Sequence, residues 1–568
     1  MGPDSLFTFD QIQRSRELGG RHFDWVAWDL LKRNADVYGD RPALADTWLG
    51  LGDRRELTWR DVLQEVNTLI AHMLDRGVLR GDVLVSQLPN AVESVFLDLA
   101  TSKVSAQHAG LNVDLGKSET QGAVRKLRPR VAFVTPEWHG RPFLDWYREL
   151  QAEIPGMEIV VLVEPGQKPP EGTTALYQWL DGRIWSRFQE SDLDYLKPSP
   201  LDVHELLPTA GTTGVPKLSR RTTLDWFQVH SVGIAERAGH SVYDRRLLFG
   251  PLSGGSGRLW GVHTPLYTGG SVLYLTEFDE ETVCRLTESE RITIWVWNPA
   301  LITRVVTSPF FEQYDLSSLR MVSYSGAPLP GEAIDRLIHK GVVPFNVYGT
   351  SEVGGCMSPI LAGIDREHLL LAAGVPFEGF DVPVVDAAGE RLPPGEVGEI
   401  LIWNVHHGYF QDPDESLNTY HDTEYGGRWE GYQRTGDLGV YDREGYLRVI
   451  GRKKDMILRG GQNIFPREIE DLLSQHDSVR DVAVVGMPDP VLGERVCAYV
   501  VPAAGQTPDV GEFQALLEAR GIAKFKWPER VELVDEMPLG PGGKIQKMVL
   551  RERIAKRLEE EADIGRRD

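Results

Sequence analysis

The stretch "PTAGTTGVPK", residues 208–217, follows directly on "LDVHELL" and is rich in threonine and glycine. So little apolar side chain cannot be core. The segment is either a tight turn between strands or a loop whose backbone N–H groups and hydroxyls face a ligand. Successive N–H groups with glycine flexibility and threonine hydroxyls form a concave donor array that suits a phosphate, and Lys217 adds charge. It is not a Walker A loop, which needs four residues between its first glycine and Gly-Lys-Ser/Thr. From these residues alone both readings stand.

Working outward, the chain from about residue 56 alternates helical and strand patterns. "TWRDVLQEVNTLIAHMLDRG" has helical spacing, "DVLVSQL" reads as a strand, and "AVESVFLDLATSKV" is helical again. "RVAFVT", "EIVVLVE", "LYLTEF", "ITIWVW" and "LRMVSYSG" are further β-rich segments ending in Gly, Pro or polar clusters. This is α/β order. Between 380 and 450 short strands with turn dipeptides predict an antiparallel sheet or small barrel. After "GRKKD" the chain restarts as a mixed unit, and the tail "RERIAKRLEEEADIGRRD" reads as a charged, solvated helix end. The expected architecture is a large N-terminal domain of α/β layers with a small barrel-like β subdomain, residues 1–451. A small mobile α+β domain follows, residues 452–568.

The totals bound the function classes. At 568 residues the chain is too long for one core, and 41% hydrophobic with 25% charged residues reads as globular. A formal charge of −22 argues against nucleic acid as a partner, because binding a phosphate backbone needs a basic surface. The longest apolar runs, such as "IVVLV", fall far short of a bilayer, and "MGPDSLFTFDQ" carries no basic flank with an apolar run. No membrane association and a cytoplasmic location are expected. Three cysteines, Cys284, Cys356 and Cys497, without paired spacing, are expected to be reduced and structural.

Three more loops carry candidate chemistry. "PLGPGGKIQK", 538–547, presents Lys544 on glycine and proline but fails the Walker pattern, and taken singly it also reads as an exposed turn. "NVYGTSEVGG", 346–355, offers an aromatic ring to stack a base and Glu352 for a magnesium ion, or else a capped helix start. "YQRTGDLG", 432–439, supplies Asp437, a carboxylate suited to the two hydroxyls of a ribose.

Taken in order, "TAGTTGVPK", "SGAPLP", "NVYGTSE", "GEVGEILI", "YQRTGD", "GRKKDMILRGGQNIFPREIE" and "PLGPGGKIQK" resemble the adenylate-forming superfamily of acyl-CoA synthetases, luciferases and adenylation domains. The resemblance covers nearly the whole chain. It implies ATP, Mg2+ and coenzyme A, with an acyl-adenylate made first and a thioester second. It assigns Thr209, Gly211, Thr212, Thr213 and Gly214 to the pyrophosphate loop closed by Lys217, with Thr212 among the catalytic residues. Gly326, Ala327 and Pro328 would flank the adenine and Tyr348 stack on it, with Gly349, Thr350 and Ser351 in the same nucleotide loop. Glu352 would help hold the metal, Asp437 with Arg452 grip the ribose, and Lys544 bridge the substrate carboxylate and phosphate. Lys454 matches the hinge about which the small domain swings, and Gly460 and Gly461 match the face that admits the pantetheine arm.

The sequence departs from the family pattern in two places that bear on rate. Ala210 stands where the family usually has serine, and Gly540 where a hydroxyl residue is common. A lost charge-assisted hydrogen bond is worth roughly 1.5–3 kcal/mol. Both changes fall on the first half-reaction, so an acyl-adenylate made elsewhere is a candidate substrate. In the acyl pocket, given to Ser253, Gly254 and Gly255, "SGGSG" puts Ser253 and Gly254 where many relatives have large residues, enlarging the cavity for a bulky, aromatic or polycyclic acid. Trp260, Trp295 and Trp297 are either pocket walls or plain core. The leading expectation is an acyl-CoA or aryl-CoA ligase. The rivals are a ligase that loads a separate carrier protein, which with a separate adenylating enzyme would be the macromolecular partners, and a silent nucleotide-binding relative. A homodimer is left open.

Overall fold

The computed structural model describes residues 25–47, 55–209, 216–224, 232–361, 364–403, 407–422, 424–539 and 545–564. The chain divides into two compact units, Met1–Val382 with Ile402–Gln433 and Pro383–Leu401 with Arg434–Asp568. The expected boundary at 451/452 falls inside the second unit.

The alternation of helix and strand builds two sheets in the larger unit. One has seven strands, ordered Thr174–Ala175, Glu158–Val161, Val131–Val134, Val83–Gln87, Gln107–Gly110, Val203–Thr209 and Lys217–Thr222. All its pairings are parallel except the last, an antiparallel hairpin. The other has nine strands, in which Arg245–Leu248, Ile294–Trp297, Met321–Ser325 and Val343–Thr350 lie successively parallel. Strands covered on both faces are apolar throughout, and Ile294–Trp297, "IWVW", is buried at every residue. Local signals set the helix ends. Thr58 caps Trp59–Asp75: its hydroxyl accepts from the Asp61 N–H while the Asp61 carboxylate accepts from the Thr58 N–H.

Trp295 and Trp297 stack at 4.6 Å inside the core formed by the nine-stranded sheet and its helices, with Val283, Ile302 and Ile334. Of the two alternatives the sequence left open for these two, core is the outcome. Trp260, 1% exposed, lies edge-on to Phe345 in a helical stretch with π-type turns.

In the smaller unit an antiparallel sheet, Val384–Val385, Gly398–Trp403, Tyr432–Tyr441 and Leu447–Arg452, accounts for the strand-and-turn pattern of 380–450. Its second and third strands begin or end in the larger unit. A second sheet is centred on the long hairpin Val479–Asp489 and Gly493–Pro502. The C-terminal helix, Lys547–Ile564, is not merely solvated: Leu550 and Ile554 are fully buried against Val485, Cys497 and Tyr499. The three cysteines are buried and none is in a disulfide. No helix among the described residues is long and apolar enough to cross a membrane.

One charged cluster is buried in the larger unit. Arg258 pairs with Asp98 and, through Nε, with Glu205 at 2.6 Å, and donates to the Leu252 carbonyl at 3.2 Å. These contacts tie the segment carrying Ser253 to the seven-stranded sheet. Burial would raise Asp98, but Arg258 and the neighbouring histidines outweigh it and hold the carboxyl well below its usual range. Burial pushes His108, His240 and His263 down, His263 to about 3 despite the opposing Asp98 charge. Each takes up a proton less readily in the folded chain than in the unfolded chain, which protonates below about 6.5. Stability therefore rises with pH across that window. The urea midpoint of the intact protein should be level above pH 6.5 and fall as pH drops toward 4, with a shallower fall in His263→Asn.

Candidate active site

The phosphate-loop candidate follows one strand and precedes another that pairs with it. Val203–Thr209 and Lys217–Thr222 pair antiparallel, and the last registered pair is Thr209 with Lys217. Ala210, Gly211, Thr212, Thr213 and Gly214 lie outside the described residues. Lys217 is half-buried, and its ammonium pairs with Glu415 and lies 5.7 Å from the Tyr409 ring. Glu415 stands in the first turn of the helix Pro413–Tyr420, where Asp412 caps and Pro413 opens the helix.

The second part is made by strand ends. Met321–Ser325 and Val343–Thr350 are parallel neighbours in register, Ser325 beside Val347, so their carboxyl ends emerge together. In open α/β sheets the ligand crevice lies outside such ends. The first strand leads into Gly326, which takes φ 89°, then Ala327 and Pro328, of which Gly326 and Ala327 are exposed. The second carries Tyr348, half-buried, and turns back through Gly349, Thr350, Ser351 and Glu352 into Gly354–Ser358. Gly349 is required by space: a Cβ there would lie 1.8 Å from the Gly354 carbonyl oxygen.

Glu352 is held from three sides within the same unit. Its main-chain oxygen accepts from Arg221, a fully buried guanidinium on the hairpin strand. Its Oε1 accepts from the Tyr409 hydroxyl at 2.8 Å and its Oε2 from Gln433 Nε2 at 3.4 Å. Thr350 donates to Gln433 Oε1 at 2.8 Å. The sequence reading missed Arg221, Tyr409 and Gln433. Partners 57 and 81 positions away along the chain leave no local pattern.

The smaller unit brings Asp437 and Arg452 together, as paired residues of neighbouring strands with Arg452 Nε 2.8 Å from Asp437 Oδ1. Arg452 also donates to the Thr435 carbonyl at 3.0 Å. Lys454 is exposed in the short turn Lys453–Asp455, whose Lys453 pairs with Glu399 at 2.6 Å. Gly460 and Gly461, φ 56° and 82°, form the two-residue turn of a hairpin. Gly540 and Lys544 lie outside the described residues, but Leu539 and Ile545 on either side form an antiparallel bridge.

Ser253, Gly254 and Gly255 are half-buried at the start of a helical stretch. Ser253 lines a small cavity of mixed character, with Ser86, Asp98, His108 and Arg258 on the polar side and Leu88, Leu111, Leu252 and Val262 on the apolar side. His108 Nε2 lies 2.8 Å from the Ser86 hydroxyl.

The comparisons follow the same lines. A family model for AMP-binding enzymes matches residues 31–410, and one for the AMP-binding enzyme C-terminal domain matches 468–544. The indoleacetate–CoA ligase of Aromatoleum aromaticum is 32% identical over 515 residues, covering 89% of this chain and 94% of its own. A feruloyl-CoA synthase of Amycolatopsis sp. is 31% identical over 505 residues, covering 88% and 94%. Among solved structures, ATP-bound MatB from Rhodopseudomonas palustris superposes with TM-score 0.79 at 25% identity, covering 93% of this chain and 98% of its own.

Gly349→Ala should displace the turn that carries Thr350 to Glu352. A shift of about 1 Å at such a site costs roughly 10²-fold in rate. ATP-dependent turnover should fall by about that factor with the circular-dichroism spectrum unchanged; wild-type turnover would contradict the close approach.

Proposed function

We propose, from the premise that this chain belongs to the AMP-binding enzyme family of the adenylate-forming superfamily, that it joins a bulky, aromatic or polycyclic carboxylic acid to coenzyme A. As an AMP-forming acyl-CoA synthetase it uses ATP, Mg2+ and coenzyme A. The observation that carries the reading is the paired emergence of Gly326–Pro328 and Tyr348–Glu352, with Glu352 fixed and the phosphate hairpin tied to it through Arg221.

In the first half-reaction a carboxylate oxygen of the acid forms a bond to the α-phosphorus of ATP, and the α–β P–O bond breaks to release pyrophosphate. In the second, the coenzyme A sulfur bonds to the acyl carbon and AMP departs. Both steps build negative charge, so fixed donors and cations stabilise them. Gly326, Ala327 and Pro328 bound the adenine, and Tyr348 offers its ring to it. Thr209 and the loop through Thr212 to Lys217 receive the phosphates, and Lys217 is already drawn to an acidic partner in Glu415. Asp437, aligned by Arg452, accepts from the ribose hydroxyls. Lys544 neutralises the carboxylate and phosphate oxygens.

The metal's chemistry is to neutralise phosphate oxygens. The residues present fit it: Glu352 is one carboxylate fixed by two neutral donors, the Tyr409 hydroxyl and the Gln433 amide. Mg2+ characteristically takes one or two carboxylates and completes its shell with phosphate and water. For the second half-reaction the C-terminal domain from about residue 452 pivots at Lys454 and presents Gly460 and Gly461 to the pantetheine arm.

The choice of acid rests on the small residues Ser253, Gly254 and Gly255 and on relatives named for indoleacetate and ferulate. Trp295 and Trp297, being core, do not enter it. Ala210 and Gly540 weaken the first step, so that a preformed acyl-adenylate is the better substrate.

Mass spectrometry of reactions with aryl acids, ATP, Mg2+ and coenzyme A should show AMP and the aryl-CoA thioester. Preformed acyl-adenylate should give thioester faster than acid with ATP, and Ala210→Ser should raise pyrophosphate release by about one decade. Equal rates from both substrates would remove the weakened-adenylation part, and acylation of a carrier protein without coenzyme A thioester would overturn the assigned acceptor.

A further inference from the structure

We propose that Tyr409 and Gln433 are positioning residues for the divalent cation that accompanies the nucleotide, acting by holding the Glu352 carboxylate through both its oxygens. The inference rests on the reading of Glu352 given above. It concerns how this chain orients that ligand.

A glutamate side chain has three torsions, and a half-buried one has room to swing. Here the plane of the carboxylate is defined by two donors on different oxygens, Tyr409 Oη on Oε1 at 2.8 Å and Gln433 Nε2 on Oε2 at 3.4 Å. A carboxylate offers about four lone-pair directions, so two remain for a cation after both bonds form.

Each donor is itself fixed. Tyr409 is 5% exposed; its main-chain N–H donates to Ser416 Oγ at 2.8 Å, and the next residue, Phe410, donates to the Leu218 carbonyl at 2.8 Å. That places the phenol against the strand that carries the phosphate loop. Gln433 is also 5% exposed, and its amide orientation follows from its neighbours. Oε1 accepts from the Thr350 hydroxyl, whose oxygen accepts from the Val353 N–H at 3.3 Å, leaving Nε2 to face Glu352. Thr350, Glu352 and Gln433 thus form a closed set, in which Gln433 is the last residue of the larger unit.

Partners that orient a metal ligand in this way typically contribute 10- to 100-fold in metal affinity.

The test uses the full-length protein with ATP and no acid, with Mn2+ as the probe and the free Mn2+ signal read by electron paramagnetic resonance. Tyr409→Phe should weaken Mn2+ binding in the ATP complex about tenfold. Gln433→Leu should weaken it less, because its bond is longer. Neither should change ATP affinity measured without metal. Glu352→Gln should bind Mn2+ weakly, and adding Tyr409→Phe to it should cost nothing further. Wild-type Mn2+ affinity in Glu352→Gln would sink the reading of Glu352 itself. Loss in Glu352→Gln with wild-type affinity in both Tyr409→Phe and Gln433→Leu would overturn the positioning roles alone. An equal loss of metal-free ATP affinity would mark them as structural and also overturn the proposal. Should Tyr409→Phe fold poorly, Gln433→Leu carries the same test.

Discussion

The hydrogen bond from the Arg221 guanidinium to the main-chain oxygen of Glu352 joins the two halves of the proposed nucleotide site, the hairpin strand Lys217–Thr222 and the turn after Val343–Thr350. Arg221 is fully buried, and a charge taken out of water must find partners or cost several kcal/mol. It therefore fixes the distance between its own hairpin and whatever it bonds. The hairpin strands flank the phosphate-loop candidate, and the bonded peptide belongs to the turn after Val343–Thr350. A buried guanidinium bonded to that turn couples the two elements, the kind of fixed arrangement that electrostatic catalysis needs.

The loops proposed above to carry chemistry are flanked in this chain by paired residues. Thr209 stands opposite Lys217, Leu539 opposite Ile545, and Arg459 opposite Gln462. At the Gly460–Gly461 turn glycine supplies the conformational freedom at the tip and the ladder supplies the stiffness behind it.

Much of this was legible in the sequence because it is local. Buried parallel strands read as short apolar runs, and "ITIWVW" and "LRMVSYSG" both became strands of the nine-stranded sheet. The loops that resemble nucleotide-binding motifs are contiguous, so the sequence alone displays their residue types and order. What escaped the sequence is what only tertiary contact creates. The stacking of Trp295 on Trp297 depends on helices that cover the sheet, so their composition alone left wall and core equally open. Ile554 was hidden in a charged tail because, with Leu550 just before that tail, two apolar residues four apart are a thin stripe. Tyr409 and Gln433 reach Glu352 from beyond several intervening strands and helices, and a tyrosine in "HHGYFQ" looks like any other.

The central claim is that the substrate carboxylate attacks the α-phosphorus of a nucleotide held by these loops. Acid labelled with 18O in both carboxylate oxygens gives the most direct test. If the acyl-adenylate forms and is then cleaved by the thiol at the acyl carbon, each AMP released must carry one 18O atom, read by mass spectrometry. Thioester accompanied by AMP without the label would contradict the account.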